Sequence, residues 1–139
     1  MTIRTAAELK TNMPIGTAKG TSVQDIHDFV ESAEEWTTQA VVAVTSTTRT
    51  IALTENKRTF TYDNAAAGTF TIPNNAPAGF EFAIGQIGAG QAAVAVTGGN
   101  LRHPDGHTKT SKQWAMVYCK VYANAGTSPQ VFLTGETAL

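Results

Sequence analysis

Charge is scarce in this sequence: only 15% of its 139 residues are Asp, Glu, Lys or Arg, and the net charge is −1. No basic excess exists to neutralise phosphates or anionic lipid, so neither nucleic acid nor a membrane surface is expected as a partner. One cysteine, Cys119, cannot form an intrachain disulfide. The N-terminus has neither a charged segment nor an apolar run of signal-peptide type, and no secretion signal is expected. Long hydrophobic runs are also lacking. Residues 82–101 are free of charge but hold five glycines, Gln86 and Gln91, which excludes a spanning helix.

What is abundant is Thr and Ala, 22 and 21 residues, almost a third of the chain. Such a composition favours small, β-branched, weakly polar surfaces over salt-bridged helical ones. The charge that exists is uneven. Residues 1–36 carry six acids and three bases, whereas residues 37–139 carry five acids and seven bases. The change near Trp36 predicts a division into residues 1–36 and 37–139. From Asn64 to Leu101 the only charged residue is Glu81, which suggests that another chain covers part of that surface.

In the first part, Thr5 and Glu8 form a capping pattern worth at most one or two turns, ended by Asn12-Met-Pro-Ile-Gly16. Residues 11–21 read as an extended arm. Ser22 caps a second pattern in which Val23, Ile26, Val30 and Ala33 recur at helical spacing, predicting one short helix from Ser22 to Glu35.

After Trp36 the hydrophobic period becomes two. Strands are expected at 40–46, 49–54, 58–62, 69–73, 80–87, 91–97, 113–122 and 130–134, separated by turn chemistry at 63–64, 73–79, 98–100, 104–106 and 124–126. The expected fold is therefore mainly β, an antiparallel, jelly-roll-like sandwich or barrel preceded by an arm and one helix. In the longest strand, Ala115, Val117, Cys119 and Val121 alternate with Trp114, Met116, Tyr118, Lys120 and Tyr122. Both faces carry apolar bulk. Either one face is core and the other a contact surface, or the strand lies between two layers of a single chain.

Catalytic constellations are not apparent. His103-Pro-Asp-Gly-His107 gathers three potential ligands, but Pro-Asp-Gly is a turn signal and nothing completes a tetrahedral set, so no metal is expected. His27, among Asp25 and Asp28, reads as a histidine on a solvated helix face. Cys119 reads as a buried hydrophobe, not a thiolate. The glycines at 85, 88 and 90 precede a strand, not the helix that a phosphate site would use. The five carboxylates of the β region are scattered in sequence and announce no glycosidase pair. No cofactor and no enzymatic site are expected.

Several segments nevertheless form a pattern: Thr69-Phe-Thr-Ile-Pro73, Gly79-Phe-Glu-Phe-Ala-Ile-Gly-Gln-Ile-Gly-Ala-Gly-Gln91, Ala93-Val-Ala-Val96, the polar stretch 108–113, Val117 to Val121, and Val131-Phe-Leu-Thr-Gly-Glu-Thr-Ala138. Their order resembles a β module of tailed-bacteriophage virion proteins, including tail fibres, spikes, head fibres and capsid decoration proteins. Val117-Tyr-Cys-Lys-Val121 is more aromatic than that pattern. The resemblance implies a non-enzymatic homotrimer, made in the host cytoplasm and resident in the virion, with the major capsid protein or another virion protein as partner. The chain is short for a tail fibre and lacks shaft repeats, so capsid decoration or a head fibre leads, and a receptor- or carbohydrate-binding tail module is the alternative. Within that reading residues 1–21 are the expected grip on the particle, through Ile3, Leu9, Met13 and Ile15. Trp114, Met116, Tyr118 and Tyr122 are the expected trimer contact.

Overall fold

The computed structural model describes residues 41–139; the expected arm, the helix from Ser22 to Glu35, and Ile3, Leu9, Met13 and Ile15 lie outside the described residues. From residue 41 onward the chain is mainly β. Eleven strands are β1 (Val41–Val44), β2 (Thr48–Thr50), β3 (Thr59–Tyr62), β4 (Gly68–Ile72), β5 (Glu81–Gln86), β6 (Ala92–Val96), β7 (Asn100–Arg102), β8 (Lys109–Thr110), β9 (Met116–Asn124), β10 (Pro129–Gly135) and β11 (Thr137–Ala138). One 3-10 turn, Leu53–Glu55, is the sole helical element among the described residues. No helix there is long and apolar enough to cross a membrane.

Each of the eight strands expected from the period of two has a counterpart, but the expected strand 49–54 ends at Thr50 ahead of the 3-10 turn Leu53–Glu55, and the expected strand 113–122 begins only at Met116, after a turn. The three unexpected ones, β7, β8 and β11, have two or three residues each. Segments so short among polar residues display too little alternation to be read in advance.

The expectation of an antiparallel, jelly-roll-like arrangement is corrected. The first sheet runs β1-β3-β5-β9-β10-β7 and the second β11-β8-β6-β4-β2, and both are mixed. β1, β3 and β5 are parallel, as are β2, β4 and β6, and β10 is parallel to β7. Only the pairings of β5 with β9, β9 with β10, β6 with β8 and β8 with β11 are antiparallel. The physical reason is that successive strands alternate between sheets. A parallel neighbour normally needs a long crossover, and here the crossover is a strand of the opposite sheet. Alternation of side chains is the same in either direction, so the sequence pattern carries no sign of it.

The two sheets share one core in a sandwich-like arrangement. Phe60, Tyr62, Phe82, Ile84, Val117, Cys119, Val121, Val131 and Leu133 face inward from the first sheet and meet Phe70, Ile72, Ala92 and Val94 of the second. The ring of Phe60 lies 5.8 Å from that of Phe70 across the core and 5.8 Å edge-on from that of Phe82. At the β2 edge an inward position is held by Arg49, in register with Phe70. Its guanidinium covers the Phe60 ring at 5.1 Å and pairs with Glu55. A charged cover at a sheet edge blocks further strand addition on that side.

Candidate functional site

β9 carries the candidate site because it is long, central in its sheet, and apolar on both faces. Val117, Cys119 and Val121 are buried, while Met116, Tyr118 and Tyr122 on the opposite face are exposed. The expected division of the strand into a core face and an outward face is thus present. β10 extends the outward face, since Val131 and Leu133 point into the core and Phe132 between them is 50% exposed. Of the eight large apolar side chains exposed among the described residues, four (Met116, Tyr118, Tyr122 and Phe132) fall in this patch, and a fifth, Trp114, stands in the turn ahead of β9.

Strand register fixes the layout. Outward residues pair as Gly85 with Met116, Ala83 with Tyr118 and Thr134, and Glu81 with Lys120, Phe132 and Arg102. The small Gly85 and Ala83 let Met116 and Tyr118 lie over β5, and Ala83 is only 7% exposed as a result. The β9–β10 register shifts between Gln130 and Val131, leaving Tyr122 without an opposite residue. This bulge turns the Tyr122 ring onto that of Phe132, 4.1 Å away and nearly parallel. Beside them, Gln130 accepts hydrogen bonds from Asn100 and Arg102.

Trp114 adds strain to exposure. It is the third residue of a turn closed by the Ala115 N–H donating to the Lys112 carbonyl, and its φ is +69°. For a bulky residue that conformation costs about 1–2 kcal/mol, and its ring, 72% exposed, recovers little by burial.

The patch carries few charges. Glu81 is the sole carboxylate in its rows and lies 3.3 Å from Lys120 Nζ. Burial works to raise the Glu81 pKa, but the neighbouring Tyr118 hydroxyl, Lys120 and Lys57 outweigh it and hold the carboxyl below its ordinary range. Burial, together with the adjacent Glu81, pushes the Tyr118 phenol up.

The other candidates have structural explanations. The His103 and His107 rings stack 4.6 Å apart and 9° from parallel. The Asp105 N–H donates to His103 Nδ1 at 3.1 Å, so the His103 proton resides on Nε2 and is donated to Thr137 Oγ1 at 3.0 Å. The Thr137 hydroxyl also lies within hydrogen-bond distance of His107 Nδ1, at 2.9 Å. His103 Nε2 and His107 Nδ1 thus converge on Thr137 Oγ1, and the pair acts as a strut between the β7–β8 turn and β11. No cluster of three or more His, Cys, Asp or Glu side chains suited to a metal occurs among the described residues. Cys119 is fully enclosed, and burial pushes its thiol far up, away from thiolate chemistry.

The glycine-rich segment 85–90 is a stitched turn. A Cβ at Gly88 or Gly90 would overlap the backbone of Asn64 or Ala66, so glycine permits the turn after β5 to rest on the turn after β3. Gln86 Nε2 donates to the Gly88 carbonyl, Gln91 Nε2 to the Thr110 and Ser111 carbonyls, and Gln113 Nε2 to the Ile87 carbonyl. These amides join the turn to the segment that leads into β9 and set where that strand begins.

No family model, curated protein or solved structure matches this chain. The geometry therefore stands by itself. It puts three of the four residues expected at a contact face, Met116, Tyr118 and Tyr122, on one face of β9, leaves Trp114 in the turn ahead of that strand, and adds Phe132 and Glu81, which sequence reasoning left unassigned. Alternation within Val131-Phe-Leu133 already separates Phe132 from the core. What was missing was the pairing of β10 and β5 with β9.

Proposed function

We propose that this chain is a non-enzymatic structural protein of a tailed-bacteriophage particle, a capsid decoration or head-fibre protein that binds the capsid surface as a homotrimer. The observation that carries the reading is the outward face of β9 and β10. Exposed aromatic and methionine side chains spread over neighbouring strands are the composition that protein interfaces enrich. The ion pair of Glu81 and Lys120 cancels within the protomer. The sequence resemblance to virion β modules supports placing such an assembly on a phage particle. In this reading the body is the trimeric unit and residues 1–21 are the grip, and three grips on one trimer act together through high effective concentration.

One observation favours a second reading, a tail-fibre or tailspike module that binds a host receptor or carbohydrate. The exposed Tyr122 and Phe132 rings lie beside Arg102, Asn100 and Gln130, the combination of aromatic surface and planar polar groups that suits a sugar. Microscopy of virions incubated with tagged protein separates the two: label over the whole head is expected, and label confined to the tail favours the second. Deleting residues 1–21 should abolish capture by undecorated particles while leaving the trimer intact in light scattering. Undiminished capture would assign the grip to the β body.

A further inference from the structure

Glu81 is the only charged residue between Asn64 and Leu101, and it opens β5 at a position directly opposite Lys120. The groups that surround its carboxylate come from two elements. β9 supplies Tyr118 and Lys120, and the turn ahead of β3 supplies Lys57. Arg58, next in that turn, meets β5 through its carbonyl, which accepts the Ala83 N–H. Arg102 lies farther along the same row, beyond Phe132. The two partners differ in exposure: the Glu81 side chain is 18% exposed, that of Lys120 54%.

That difference matters once the face is covered. In a free protomer water solvates Lys120, and an ion pair of this kind contributes little. Another copy laid on Tyr118 and Phe132 also covers Lys120, which lies between them in the register. Its ammonium then depends on Glu81 as counter-ion. A desolvated pair can often be replaced by two neutral groups at no loss, whereas removing one charge strands the other.

We propose that Glu81 and Lys120 form a charge lock on the self-association face: copies assemble when both residues are charged or both are neutral, and acid that protonates Glu81 releases the copies from one another. The proposal rests on the reading that this face meets further copies of the chain. It deepens that reading by making assembly, not folding, the acid-sensitive step. The direction follows from Glu81, whose carboxyl is held below the ordinary range. For assembly the lock is complete above the value Glu81 has in the free protomer and is lost as pH falls through the still lower value that covering the ion pair imposes.

The test uses the full chain, with light scattering for assembly and circular dichroism for folding, from pH 7 downward in steps. The wild type should be trimeric at pH 7 and dissociate in acid before it loses its β signal. Glu81→Gln should be folded at pH 7 yet associate at least about 100-fold more weakly, the size expected for a stranded buried charge. The double variant Glu81→Gln, Lys120→Met should recover the trimer at pH 7 and keep it at the acid pH that releases the wild type. The proposal is overturned if Glu81→Gln assembles as tightly as the wild type, if it fails to fold at pH 7, or if wild type and double variant dissociate at the same pH. A monomeric wild type at pH 7 would instead remove the self-association reading beneath it.

Discussion

The two outward faces of the β body share one core and one side-chain period, yet they differ in what they show to solvent. On the second sheet, Thr48, Thr69, Ala93 and Lys109 form one row and Thr50, Thr71 and Ala95 another. Threonine fits a half-exposed pleated surface, and its hydroxyl is satisfied by water without any charge. On the first sheet the corresponding rows hold Met116, Tyr118, Phe132 and, beside them, Tyr122. The contrast shows that low charge and exposed aromatic surface are separate properties. The nearly chargeless segment 64–101 supplies β4, β5 and β6, whose inward residues are core and whose outward residues on the second sheet are Thr and Ala. Its lack of charge is explained within the chain. The uncovered aromatic surface of β9 and β10 is not.

The largest expected effect comes from placing one charge on each face in turn. Tyr118→Asp should weaken trimer formation by about 3 kcal/mol or more, because it puts a second carboxylate beside Glu81 on a face that assembly desolvates. Thr71→Asp, on the second sheet, should leave the trimer unchanged. Sedimentation or light scattering at micromolar concentration reads both, and equal effects would erase the distinction between the faces.

A smaller effect separates assembly from protomer stability. Trp114→Gly relieves the backbone at φ +69° and removes a ring with little burial to lose. Unfolding in denaturant should therefore show unchanged stability or a gain of up to about 1 kcal/mol, while association weakens. If protomer stability falls by more than 1 kcal/mol, the ring serves the fold and not the face.

The smallest effect belongs to the histidine strut. His103→Ala with His107→Ala should cost about 1–2 kcal/mol through the lost bonds to Thr137 without altering the trimer. Elemental analysis of chelator-free, untagged protein should find no stoichiometric zinc or nickel before or after the change. Bound metal that disappears in the variant would replace the strut with a ligand site.

Much of this was legible in the residues themselves. The alternation of Val117, Cys119 and Val121 with Met116, Tyr118 and Tyr122 divides the faces of β9 from the residues alone, because successive side chains of a strand must point to opposite sides. The turns at 73–79 and 124–126 are marked equally well by Pro, Asn and Gly. Cys119 in a run of valines is recognisable as core for the same reason. Histidines 103 and 107 were legible only as a turn, since Thr137, which joins them, is some thirty residues away.

The sequence by itself thus determined where the longer strands lie, which of their side chains turn inward, and that the longest strand has two apolar faces. These are local properties, set by a period of two and by the backbone preferences of Gly, Pro and Asn. Strand direction, sheet membership and neighbours were decided only by the tertiary structure: that β1, β3 and β5 run parallel, that β9 and β10 enter the same sheet, and that Glu81 meets Lys120. Each depends on pairing between segments far apart in the chain. A strand's alternation reads the same whichever neighbour it finds and in whichever direction that neighbour runs.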